Sequence, residues 1–368
     1  MKNGLHYILL YMMSLLALTG CDVHEFPEER GEGVDFLLHL NFDASEMPLH
    51  EEIPYTRSGE GETKASIEHH DIRYIINAYR IDNVRGENRI PDTTFIFTKA
   101  DITSLDYTAR LELPEGSYNF IVWADFVSAN STSDKYYDTH NFEEIILADP
   151  NNHPGSNPYR EAYRGYATAT VKNPDYYSGS IVNTIDNQAT AEMKRPMGKF
   201  KFISTDVDIF LNRIILAMKE KGMLKDVESE AENTAAYEQL LQSIDWSEYT
   251  VVFKYDIFMP CSFNMFADRP ADVWNGTTFT SRMTLESDFE MSLGYDYVFV
   301  NGSETTLSIS LAVYNKEGEL MSSANNIDVP IVRNKTTLVT GEFLTSKATG
   351  GISINPGYDG KDYNIEIK

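Results

Sequence analysis

Val34-Asp35-Phe36-Leu37-Leu38-His39-Leu40-Asn41-Phe42 decides the fold class of this chain. Apolar Val34, Phe36, Leu38, Leu40 and Phe42 take every second position, with Asp35, Leu37, His39 and Asn41 between them. Successive strand side chains point to opposite faces, so the spacing predicts a strand with one buried face, not a helix. Strand character returns at 72–81, 93–98, 107–113, 118–127, 166–171 and 189–195. Pro114-Glu115-Gly116, between two of these runs, predicts the turn of a hairpin. The 22 Tyr and 19 Phe suit pleated, half-buried surfaces, and an all-β body is expected.

Around these runs the chain divides. Residues 44–66 lose all periodicity and contain Met47-Pro48 and Ile53-Pro54, which predicts an exposed loop carrying Arg57. Residues 128–157 are polar and read as a long decorated loop. Strand periodicity restarts after Arg195-Pro196, so one domain is assigned to 34–196 and a second to 197–368. Thr205 is the expected N-cap of a helix with Val207, Phe210, Leu211, Ile214 and Met218 on one face and Gly222 at its end. Ser229 with Glu232 forms a capping box for a second helix ending near Ile244, and the two read as one short insertion. From Thr250 alternation resumes through Phe263, then at 278–285, 306–314 and 326–332, with Asn315-Lys316-Glu317-Gly318 as a turn. No repeat, heptad run or low-complexity tract is visible.

The first 20 residues read as a signal peptide, because Lys2 precedes an apolar run from Leu5 to Leu18 that is short for a membrane span. The run ends in the lipobox Leu18-Thr19-Gly20-Cys21, so the Cys21 thiol is the expected site of lipidation. Each buried CH₂ contributes roughly 0.8 kcal/mol, and two or three acyl chains hold a soluble body on a membrane. The alternatives are an unprocessed signal helix and ordinary cleavage that leaves a free thiol. Residues 21–33, with Asp22, Glu25, Glu28 and Glu29, form an acidic tether. Cys261 is the only other cysteine, so an acylated chain has no internal disulfide, and its apolar neighbours suit a small core side chain. A length of 368 residues fits two domains. A formal charge of −25 repels phosphate backbones and excludes nucleic acid as a partner.

Several short stretches form an ordered series. They are the lipobox, Leu113-Pro114-Glu115-Gly116-Ser117-Tyr118 leading to Ile121-Val122-Trp123-Ala124-Asp125, Asp134-Lys135-Tyr136-Tyr137, and Arg195-Pro196-Met197-Gly198-Lys199-Phe200. Val329-Pro330-Ile331-Val332-Arg333-Asn334-Lys335-Thr336-Thr337 with Gly341, and Pro356-Gly357-Tyr358-Asp359-Gly360, complete it. The series resembles fimbrillin-like lipoproteins of Bacteroidales, which include fimbrial subunits and their anchor proteins. The acidic tether likewise resembles the export signal of surface lipoproteins in such bacteria, or serves only as a solvated spacer.

The resemblance implies two transthyretin-like Greek-key β-sandwich domains, the second with the helical insertion, and a lipid-anchored place at the outer membrane surface. It also implies assembly with other fimbrial subunits or surface proteins by β-strand donation. In polymerising members an N-terminal segment is removed after an Arg, and the vacated groove accepts the next subunit's C-terminal strand. The strand at 34–43 followed by a loop with Arg57 matches that order. In the other reading Arg57 is a plain loop residue and the strand is permanent, as an anchor or tip subunit requires. A different class of function, a monomeric surface lipoprotein binding glycan or host protein, stays open.

Catalytic signals are absent. His69, His70 and Asp71 are adjacent, so strand geometry splits them between faces and no metal site is expected. Asp359, Asp362 and Asn364 lack the spacing of a calcium loop. There is no GxSxG, HExxH, phosphate-cradling loop or zinc spacing, so neither an enzyme nor a cofactor is expected. Tyr136, Tyr137, Tyr159, Tyr163 and Tyr166 with Trp123 suit either a sugar platform or, more simply, sheet packing.

Overall fold

The computed structural model describes residues 33–43, 69–81, 89–100, 104–149, 151–173, 186–220, 243–348, 354–359 and 362–367. The alternating run forms β1 (Val34–Phe42), with Phe36, Leu38 and Leu40 buried. It lies between antiparallel β4 (Tyr107–Leu113) and parallel β9 (Gln188–Met193). Facing this sheet is a second, ordered β3 (Thr93–Lys99), β2 (His70–Arg80), β5 (Gly116–Ser128), β8 (Ala162–Val171), all antiparallel. Phe36, Leu38, Tyr74, Ile76, Phe120 and Val122 fill the space between them. Each apolar side chain buried here contributes about 1.5–3 kcal/mol.

The rest of the chain repeats this arrangement. β10 (Met197–Ser204) lies between antiparallel β18 (Met291–Phe299) and parallel β21 (Thr336–Gly341). Its facing sheet is ordered β16 (Thr278–Arg282), β11 (Thr250–Tyr255), β19 (Glu304–Tyr314), β20 (Leu320–Val332), again antiparallel. Seven strands coincide in order and in sense with the seven of the first unit. The duplication lives in topology alone, because a sheet order needs the right alternation and turns in each half, not the same side chains. The second unit adds β17 (Thr284–Leu285) beside β18 and β22 (Lys347–Ala348) beside β20. On β21 it adds β24 (Asp362–Ile367), parallel, with β23 (Ile354–Asp359) as the antiparallel edge partner of β24.

Helix α1 (Val207–Glu220) is present, with Val207, Phe210 and Leu211 buried. It begins one residue later than the expected Thr205 cap implies. Asp206 holds the cap position and accepts the amide of Phe210 on its carbonyl at 3.0 Å, while its carboxylate accepts the Thr345 amide at 2.8 Å. The helix predicted from Ser229 lies largely outside the described residues.

Two sequence expectations fail. The turn at Pro114-Glu115-Gly116 does not close a hairpin, since β4 pairs with β1 in one sheet and β5 with β2 and β8 in the other. β5 is buried on both faces along most of its length, so it takes an interior place with partners on both edges, and the short turn carries the chain across the sandwich. Residues 128–157 are no decorated loop either. β6 (Tyr137–Asp138) pairs with β7 (Ile145–Leu147), β7 with β13 (Ser262–Asn264), and β13 with β14 (Arg269–Pro270), so this segment bridges the two units. Nearby, β12 (Met259–Pro260) pairs with β15 (Val273–Trp274). Tyr137, Phe142, Ile145 and Leu147 are buried in one cluster with Trp123 and Phe263. Their irregular spacing hides the burial, which comes from tertiary packing and not from a strand period.

Buried charges lie at this seam. Asp296 on β18 accepts from His153 Nε2 at 2.6 Å, from the Tyr255 hydroxyl at 2.6 Å and from the Arg160 guanidinium. Arg195 donates to Glu161 at 2.6 Å and to Asn334 at 3.0 Å, tying β8's entry to the turn before β21.

Gly198 marks a close approach of backbones in the second unit. A Cβ there would sit 2.2 Å from the Val332 carbonyl oxygen and 2.9 Å from an Ile331 methyl carbon. Gly198→Ala is expected to cost about 1–3 kcal/mol by forcing β10 and β20 apart. Urea unfolding checks this, and an unchanged midpoint would contradict the close packing.

Candidate functional site

β1 is the first described strand of the chain, yet it sits in the middle of its sheet. Its ladders run to β4 on one side and β9 on the other. The Asp43 amide adds a bond to the Met193 carbonyl at 3.1 Å, and the Phe42 amide one to Asp106 Oδ1 at 2.9 Å. On the inner face Phe36 stacks on Phe120 at 5.2 Å, and Phe42 meets the edge of Tyr163 at 4.8 Å. The outer face is polar apart from Leu37. Arg110 Nε donates to Asp35 at 2.9 Å and holds that exposed carboxyl below its ordinary value, while His39 bonds Thr108 and Gln188 at 3.0 and 3.2 Å. Exposed pairs of this kind set register more than stability.

Without β1 the space between β4 and β9 would be a trough with free backbone donors and acceptors on both walls and apolar pockets at alternate positions. Such a trough recognises an extended segment by ladder bonds and alternate side chains. The chain carries one such segment at its other end. Asp362-Tyr363-Asn364-Ile365-Glu366-Ile367 places apolar residues at alternate positions, and among the described residues it lies between β21 and β23. β21 is the topological counterpart of β9.

Several residues singled out in the sequence lie outside the described residues: Leu18, Thr19, Gly20 and Cys21 of the lipobox, and Arg57. His69, His70 and Asp71 do not converge: His69 is exposed, His70 stacks on Tyr159 at 3.7 Å, and Asp71 accepts the Asn130 amide at 2.8 Å. Asp359 and Asp362 pair across the β23–β24 hairpin. Trp123, Tyr137 and Tyr163 are buried, so the six aromatics form no common platform. Cys261 is buried too, and burial pushes its thiol up to about 12.

One further cluster carries almost no signal in the sequence. Ligand atoms of Asp134, Asp138 and His140 lie within 4.8 Å of one another, a convergence visible only as a short Asp/Asp/His spacing in a polar stretch. These groups already have partners. Asp134 accepts from Arg73 at 2.7 Å and from the Thr139 hydroxyl at 2.8 Å, and His140 bonds Asp138 at 2.8 Å. The bonds hold the turn.

The described elements define a tandem β-sandwich protein, duplicated in topology, whose first described strand is set into the middle of a sheet. The chain belongs to the DUF6562 family, described as a family of unknown function, which matches residues 33–368. No curated protein matches it. Similar solved structures include the fimbrial anchor protein Mfa2 from Porphyromonas gingivalis, 9% identical over 79% of this chain and 82% of that one, with a TM-score of 0.36. Another is a fimbrial assembly protein from Parabacteroides distasonis, 12% identical over 86% and 93%, with a TM-score of 0.37. These proteins are of the class that the sequence motifs resemble, and at such values the likeness carries no argument about function.

Proposed function

We propose that this chain is a lipid-anchored protein of the outer membrane surface that serves as a fimbrial subunit, anchor or accessory protein. It works by assembly and performs no catalysis. The acyl chains on Cys21 hold it to the membrane, and its partners are other fimbrial subunits or surface proteins. The single observation behind this reading is the place of β1, mid-sheet by pairing and first in order among the described strands. A cut between β1 and β2 leaves it held by non-covalent contacts alone, and a donated strand replaces it.

Arg57 lies between those two strands and is the proposed cleavage point. Brief trypsin treatment of the full chain in detergent is expected to nick it first at Arg57, with the fragments staying together on size exclusion. A synthetic peptide of residues 354–368, added in excess, is then expected to expel the fragment that carries β1, as seen by mass spectrometry. Resistance at Arg57 removes the processing step. A released β1 that leaves a stable monomer refusing the peptide favours the static glycan- or protein-binding module instead.

A further inference from the structure

The outer face of β2 and β3, away from β1, carries an open groove of about 560 Å³. That is within the range of about 300–1,000 Å³ common for small-ligand sites. Its floor comes from β2 and β3, where Ile75 pairs with Ile96 and Asn77 with Thr94, and its walls are residues 89–91, 132–134 and 139–142. We propose that this groove binds a neutral glycan, one or two pyranose units at a time.

Ion pairing among the lining groups decides against charged ligands, and net charge against anions in particular. Arg73 donates to both oxygens of Asp125 at 2.9 and 2.7 Å and to Asp134 at 2.7 Å. Arg89 is paired with Glu143 at 2.7 Å and His140 with Asp138 at 2.8 Å. Every charged group lining the groove thus has its own counter-ion, and the chain's charge of −25 repels anions from a distance. Backbone pairing decides against a peptide strand. β2 is laddered to β3 on one edge and β5 on the other, and the groove lies on the face of these strands, so a strand added at the outer edge of β3 would extend the sheet and leave the groove unfilled.

What remains is neutral and mixed. Asn77 is only 6% exposed; its carbonyl accepts from Thr94 at 2.7 Å and its amide donates to Tyr79 at 3.3 Å. A primary amide has two donors and two lone pairs, so one of each is left for a ligand, already held in place. Exposed Thr132, Ser133 and Asn141 add hydroxyl and amide groups on the rim. Between them lie Ile75, Phe142, and the conspicuously exposed Ile90 and Ile96, at 72% and 47%. A pyranose ring presents this combination in complement, with apolar C–H faces bordered by hydroxyls that both donate and accept.

Saturation-transfer NMR on the full chain in detergent tests the assignment with N-acetyllactosamine, fucosyllactose and mannobiose as neutral probes. A chondroitin disaccharide is the anionic probe and the 354–368 peptide the strand probe. Transfer to at least one neutral saccharide is expected, with Asn77→Ala binding about tenfold more weakly, the loss of one or two hydrogen bonds. Ile96→Arg, a change at an exposed position that leaves the unfolding midpoint in place, is expected to abolish transfer. No transfer to any neutral probe, equal transfer in Ile96→Arg, or preference for the anionic or peptide probe at this groove overturns the proposal. Ile96→Arg leaves displacement of β1 untouched, so this result and the outcome for strand exchange are independent.

Discussion

Alanine in place of Asp296 is expected to destabilise the folded chain by about 3–5 kcal/mol, the usual cost of leaving a buried cation without its partner. Asp296 is 1% exposed, and Arg160 and His153, which it binds, are buried too. Those two lie between β7 and β8 of the first unit, whereas Asp296 belongs to β18 of the second, so the loss loosens the seam as well as the site. Urea unfolding measures it, and a cost below about 1 kcal/mol, the level of a surface pair, would show that water reaches the cluster. The same cluster sets a pH dependence. Burial alone would raise the Asp296 carboxyl, but Arg160 and His153 hold it at about 2, below its ordinary 3.8. Burial and then Arg160 hold the His153 ring below its ordinary 6.5. Both groups therefore bind protons more readily in the unfolded chain, and both contributions are complete only at higher pH. Stability due to His153 is lost as pH falls below 6.5, and that due to Asp296 as pH falls from 3.8 through about 2. Asp296→Ala is expected to flatten the lower wave in an unfolding series across pH.

Strands with one wet face were readable from the sequence because burial there writes a period of two. β1, β3 and the run at 107–113 follow it, and Asn315-Lys316-Glu317-Gly318 closes β19 onto β20, with Gly318 at φ 79° and its amide bonded to the Asn315 carbonyl at 2.9 Å. β18 was not readable, since all but one of its nine residues are buried and no alternation survives. The bridge at 137–147 was hidden for the converse reason, its apolar residues being scattered among polar ones that face solvent. Pairing between strands distant in sequence was illegible. That β1 takes β9 as a parallel partner depends on a contact across most of the first unit, and neither strand names the other. The trough was therefore half legible: its occupant and its wall strands could each be read as strands, but not that they pair. The glycan groove was wholly illegible, because its floor alternates with core residues of β2 and its far wall comes from the stretch taken for a loop.

A chain from which residues 34–43 are deleted is expected to lose its first unit as a stable monomer. Phe36, Leu38 and Leu40 are at most 1% exposed, and at about 1.5–3 kcal/mol each their burial alone is of the order of a whole domain's net stability of about 5–15 kcal/mol. Deletion also strips two ladders at once, leaving donors and acceptors of β4 and β9 unpaired beside apolar pockets. Such a surface either unfolds or takes a strand from another molecule. Trp123 reports on the first outcome, being fully buried on β5, in the sheet that faces the trough. Its emission is expected to shift to the red in dilute truncated chain, and to return when a synthetic peptide of residues 33–43 is added in trans. At high concentration the same truncated chain is expected to form oligomers that the peptide dissolves, because both compete for one trough. A truncated monomer with unchanged emission and unchanged melting temperature would mean that β4 and β9 close directly on each other. In that case β1 is dispensable, and exchange at this sheet has no energetic basis.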